Sequence, residues 1–231
     1  MPHRVAARAL IGLLIVMPVA SANGQAAAAA DAGWRPGQWN GIPPAHWVDL
    51  PGGGLRVTAR DGQGSFMWRP ARGSATCLTW RWRVDAGPPA ARLDRRGGDD
   101  RAIGVFVGFD GWPPRVTLAQ RTAHSSALAL AGLRRVPRTV LAYVWGGTGE
   151  EPQPFMSPYM ADLGSVRVLR TAHAPRGEWQ VERVNLAADW RASFGGAPPP
   201  LIEIAIASDA EDTRARVDAR IEDIHFIPCE P

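Results

Sequence analysis

One short stretch, Cys77-Leu78-Thr79-Trp80-Arg81-Trp82-Arg83-Val84, constrains this chain more than any other. Its period of two puts Trp80, Trp82 and Val84 on one face and Arg81 and Arg83 on the other, the pattern of an extended strand with one buried side. Two indoles on one strand need a deep core to receive them. Further strands are expected at residues 55–59, 65–68, 103–109, 116–121, 140–145, 166–170, 180–186, 201–208 and 215–226, the last interrupted near Glu222-Asp223. The first two of these flank a glycine-containing turn and read as a hairpin. Residues 187–194 suit one or two helical turns, and residues 125–133 fit either a short helix or a loop. Strands at such intervals, without amphipathic helices between them, imply two packed sheets and not a parallel α/β sheet. The expected fold is all-β, a jelly-roll-like antiparallel β-sandwich in a single domain.

The beginning of the chain follows a different pattern. Arg4 and Arg8 precede an apolar run over residues 9–20, then small residues reach Ala26, the layout of a secretory signal peptide over residues 1–26. The run is too short for the roughly 20 residues that cross a bilayer as a helix. No cysteine lies nearby to accept a lipid. The remaining domain, residues 27–231, is then expected in the periplasm or outside the cell. Its first part, 27–54, holds Trp34, Trp39 and Trp47 among glycines and prolines and reads as an irregular tryptophan-rich wrap. An oxidising compartment makes a disulfide between Cys77 and Cys229, the two cysteines of the chain, the expected state.

Charge excludes one class of partner. Without Arg4 and Arg8 the formal +4 falls to about +2, and the arginines alternate with carboxylates instead of forming a basic stripe, so nucleic acid is not expected. Metalloprotease, nucleophile-elbow, phosphate-loop and dinucleotide signatures are absent from the sequence.

Several ordered motifs resemble the domain-of-unknown-function family 3047. They are the Leu78-to-Val84 strand, Gly97-Gly98-Asp99-Asp100 before the next strand, Tyr143-Val144-Trp145, Ser157-Pro158-Tyr159, residues 179–189, and Ile204 to Asp209 with Asp212-Thr213 following. The resemblance spans residues 57–226. It implies a secreted β-sandwich of the carbohydrate-binding or galactose-binding-like kind, and it supplies no catalytic residues to carry over. The chain departs from the family pattern at Arg101 and in the insert at 125–133.

Candidate chemistry gathers in two acidic loops. Asp99, Asp100 and Arg101 lie beside Gly97-Gly98, where backbone can approach a ligand and carboxylates can accept from sugar hydroxyls. Asp209 and Asp212 form the second cluster and are the candidate ligands for calcium, which takes several oxygens; neighbouring arginines offer the same carboxylates salt bridges instead. Trp112, Trp145 and Tyr159 are the candidate rings for stacking on a sugar. Arg81 and Arg83 could join Arg216, Asp218, Arg220 and Glu222 on a polar face, lining a ligand or simply ion-paired. The expectation is a non-catalytic module that binds a glycan or other polar envelope ligand. The alternatives are a polysaccharide lyase or hydrolase using paired carboxylates, and a structural or partner-binding envelope protein.

Overall fold

The alternation at residues 77–84 becomes β5 (Cys77–Ala86), in which Trp80, Trp82 and Val84 are buried and Arg81 and Arg83 are not. The computed structural model describes residues 33–73, 77–130 and 136–229, so the expected signal peptide and part of the 125–133 segment lie outside the described residues. Around β5 the chain forms β1 (Arg35–Gly37), β2 (His46–Leu50), β3 (Gly54–Ala59) and β4 (Gly64–Gly73) before it, and β6 (Arg101–Phe109) after it. There follow α1 (Leu118–Leu130), β7 (Thr139–Gly146), β8 (Phe155–Met156), β9 (Gly164–Arg170), β10 (Gln180–Asn185), α2 (Leu186–Phe194), β11 (Leu201–Asp209) and β12 (Val217–Ile227).

Two sheets face each other in a jelly-roll-like sandwich. One has the order β1-β4-β11-β6-β7-β9-β8, the other β10-β5-β12-β3-β2, and every pairing is antiparallel except β7 with β9. Between them Trp80, Trp82, Tyr143 and Trp145 form a chain of rings with centroids 5.4 to 5.8 Å apart. Fully burying each such side chain contributes on the order of 2 kcal/mol or more. At one end Trp190 of α2 packs on Phe109 at 4.8 Å. Asn185 starts α2 by accepting from the Ala188 N–H, and Gly195, at φ +75°, ends it.

The seven-stranded sheet is apolar on both faces, because β6 and β7 are buried almost throughout. Its outer face carries Phe66, Phe106, Ala142, Val144, Ala205 and Ala207, with Phe155 of β8, under Leu93, Trp39 and Met160 from the loops. The five-stranded sheet instead turns an ion-paired face outward. Arg56 pairs with Asp218 at 2.7 Å, Arg81 with Glu222 and Asp223 at 2.7 and 2.9 Å, and Arg83 and Arg220 both with Asp85.

Three local expectations give way. Residues 55–59 and 65–68 are strands but not a hairpin: β3 pairs with β2 and β12, whereas β4 pairs with β1 and β11, so the turn between them crosses from one sheet to the other. Residues 116–121 open a helix. Thr117 and Gln120 cap each other, the Gln120 N–H donating to Thr117 Oγ1 at 3.2 Å and the Thr117 N–H to Gln120 Oε1 at 2.7 Å, which satisfies free donors of the first turn. The tryptophan-rich wrap contains two edge strands, β1 and β2. The interruption expected near Glu222-Asp223 is present as a register shift, with Asp223 at φ +57°.

Candidate functional site

Three connections between the sheets meet at one end of the sandwich: residues 60–63 from β3 to β4, 87–100 from β5 to β6, and 210–216 from β11 to β12. They are tied to one another. The Ala210 N–H donates to the Gln63 carbonyl at 3.1 Å, and Asp100 accepts from the backbone N–H groups of Asp212 and Thr213 at 3.2 and 2.8 Å and from the Thr213 hydroxyl. Asp100 is only 2% exposed. With three donors aimed at it, its carboxylate joins the two acidic loops, which therefore converge.

Arg101, the first residue of β6, sits at the centre of this junction. Its Nη1 donates to the Asp99 carbonyl at 2.7 Å and to Asp99 Oδ2 at 3.3 Å, while Nη2 lies 3.7 Å from Asp209 Oδ2. The guanidinium carbon is 5.7 Å from the Trp39 ring centroid and 5.2 Å from that of Phe106. Tyr159 reaches the same place: its hydroxyl accepts from the Gly97 N–H at 2.7 Å and hydrogen-bonds Asp99. Burial first, then the nearby acids, pushes the phenol up to about 12, against the opposing bond from Gly97. Arg96 stacks over its ring at 5.4 Å.

Asp209 closes β11 and points to the outer face of the seven-stranded sheet. Its side chain is 8% exposed, and Oδ1 has no hydrogen-bond partner. That oxygen rests above Gly64, where a Cβ would lie 2.6 Å from it and 3.1 Å from the Trp39 ring, so glycine is what lets the carboxylate fit. Burial, reinforced by the charges of Asp99, Asp100 and Glu211 and opposed by Arg101, pushes Asp209 up to about 8. Asp212, exposed and on the loop that follows β11, is pushed up to about 6 by desolvation and then by Asp99, Glu211 and Asp100.

Asp99, Asp100, Arg101, Tyr159, Asp209 and Asp212 thus come together, and four other candidates do not. Trp145 is 2% exposed and packs edge-on against Trp82, because its parity on β7 points it inward with Leu141 and Tyr143. Trp112 follows the far end of β6, a nine-residue strand of roughly 25 Å or more from Arg101. There it packs against His124 at 5.0 Å, beneath Arg121 and Arg138. Arg81 and Arg83 lie on the outer face of the other sheet, in the ion pairs described above. Among the described residues no three His, Cys, Asp or Glu side chains are grouped to hold a metal ion. Trp39, Phe106, Gly64 and Thr213 belong to the junction without having been singled out for it.

The profile of a family described as proteins of unknown function, DUF3047, matches residues 51–225. The chain belongs to this family. The matched region of this DUF3047 protein contains every junction residue except Trp39. No curated protein matches it. Among solved structures it is similar to a meso-active thermostable cellulase derived from the Cel12A cellulase of Rhodothermus marinus. The identity is 11%, the match covers 86% of this chain and 93% of that one, and the TM-score is 0.44. Cys77 and Cys229 form a disulfide, and no helix among the described residues is long and apolar enough to cross a membrane.

Proposed function

We propose that this protein is an exported envelope β-sandwich that binds a glycan or similarly polar ligand, without cleaving it, at the junction of residues 97–101 and 209–213. One observation carries the reading: Asp209 presents a buried carboxylate oxygen with no donor, beside a guanidinium and an indole. An unsatisfied buried acceptor costs on the order of 1–3 kcal/mol, which a ligand donor would recover. Trp39 is only partly buried and supplies an apolar plane, while Asp99 and Asp212 supply further acceptors. The disulfide fits an oxidising compartment and supports export.

A second reading, a polysaccharide-cleaving enzyme, draws on the ionisation of Asp209 and Asp212, since a carboxyl held protonated near neutral pH can serve as a general acid. Both readings are tested on an array of envelope and plant polysaccharides, with calcium and with chelator. Retention of intact glycan by the oxidised protein, weakened in Asp99→Asn, is expected; release of shortened glycan would establish the enzyme, and absence of any retention would refute the binding reading.

A further inference from the structure

The charge balance of the junction says more about the ligand than its polarity does. Asp209 is faced by Asp99 and Asp100 from the loop before β6, by Arg101 from β6 itself, and by Glu211 from the loop after β11. Asp212 on that same loop feels Asp99, Asp100 and Glu211. Gly64 at the start of β4 and Trp39 from the N-terminal segment, which lie at Asp209 Oδ1, carry no charge. Tyr159, against Asp99, is a neutral phenol below its raised ionisation. Carboxylates therefore outnumber the one guanidinium that pulls on Asp209.

Arg101 also shows what kind of group this surrounding accommodates. It is a cation held against two aromatic rings and between two carboxylates, with its side chain only 11% exposed. It does not use up the acids around it: its contact with Asp209 is a loose 3.7 Å, and the other Asp209 oxygen has no donor. A neutral hydroxyl would satisfy that oxygen and leave the excess negative charge in place. An ammonium group would do both.

We infer that the junction takes a ligand bearing a primary ammonium group, as a glycan with free amino sugars does, seated beside Arg101 with its charge against Asp99, Asp209 and Asp212. This rests on the binding reading above and adds the chemical class. Asp212 and the accessible edge of Asp99, 23% exposed, receive the ammonium at the surface, with Asp209 behind them. An arriving positive charge favours the ionised forms of Asp209 and Asp212, so binding displaces their protons in the range between about 6 and 8 where they are otherwise partly protonated.

The test is calorimetry on the oxidised protein with paired glucosamine and galactosamine oligomers that differ only in free or acetylated amines. Titrations at pH 6 in two buffers of different ionisation enthalpy count the protons. The expected result is binding of the free-amine oligomers at least tenfold tighter than their acetylated counterparts, with net release of about one proton per site. Asp209→Asn, which keeps the side chain's shape, is expected to weaken the free-amine oligomers and reduce the proton count while leaving acetylated ones unchanged. Equal binding of both members of each pair without proton release would overturn the ammonium inference and leave the glycan-binding reading standing. Binding of neither member would overturn both. Spermidine provides a third arm: its binding where no glycan binds would overturn the glycan as the source of the ammonium group.

Discussion

Replacing Asp209 with asparagine is expected to stabilise this protein at neutral pH, an unusual outcome for a buried polar position. The carboxyl ionises near 3.9 in an unfolded chain and at about 8 in the folded one. A folded-state value above the unfolded one means that the group's contribution is fully present below about pH 4 and is lost as pH rises through 8. At 1.36 kcal/mol per unit, the wild-type protein gives up on the order of 4 kcal/mol by pH 7 relative to its acid form. An asparagine has no proton to lose, so its stability is flat with respect to this group, and its amide occupies the same space above Gly64. Urea unfolding of both oxidised proteins at pH 4, 5, 6, 7 and 8 reads the difference directly. The two stabilities should nearly coincide at pH 4 and diverge as pH rises, with the variant ahead. Parallel profiles, or a variant that is the weaker at pH 7, would refute the reasoning.

Other perturbations probe the scaffold that holds the junction. Reducing the Cys77–Cys229 disulfide, or replacing both residues with alanine, releases a sequence separation of 152 residues and should cost about 5 kcal/mol in the chain-entropy account; an unchanged denaturation midpoint would contradict it. Gly64→Ala drives a methyl against Asp209 Oδ1 and the Trp39 ring, and should destabilise by about 1–3 kcal/mol with altered Trp39 fluorescence. Trp82→Ala removes one of the two inner rings of the core chain and should cost about 3–5 kcal/mol by urea titration, whereas Trp112→Ala, at the far end of β6, should leave ligand binding intact.

The fold was legible where one residue's neighbours in sequence decide its environment. The alternation of β5 exposes its two faces directly, and its tryptophans lie in the core as their parity requires. Pairing was not legible in the same way. Residues 55–59 and 65–68 alternate as hairpin strands do, but partners 137 to 166 residues away, in β12 and β11, draw them into different sheets. The start of α1 carried a readable sign, Thr117 with Gln120 three residues later, that outweighs the β-branched Val116 and Thr117. In the junction, the acidic residues were visible as types and their meeting was not, since it depends on Asp100 accepting from Asp212 and Thr213 across more than 110 residues. Trp145 misled because a strand end is a natural place for an exposed ring, and only the parity of β7 turns it inward. Trp39 gave no local sign at all: its contact with Arg101 is made by tertiary packing alone.

The measurement that tests the central claim most directly is an NMR titration of the oxidised, isotope-labelled protein with a glycan retained on the array. The account predicts shifts concentrated at the Trp39 indole N–H and at the amides of Gly97, Arg101, Asp212 and Thr213, with the Trp112 indole and the amides of β5 undisturbed. Shifts centred on Trp112, or on the Arg81 and Arg83 face of the five-stranded sheet, would place binding elsewhere and contradict it.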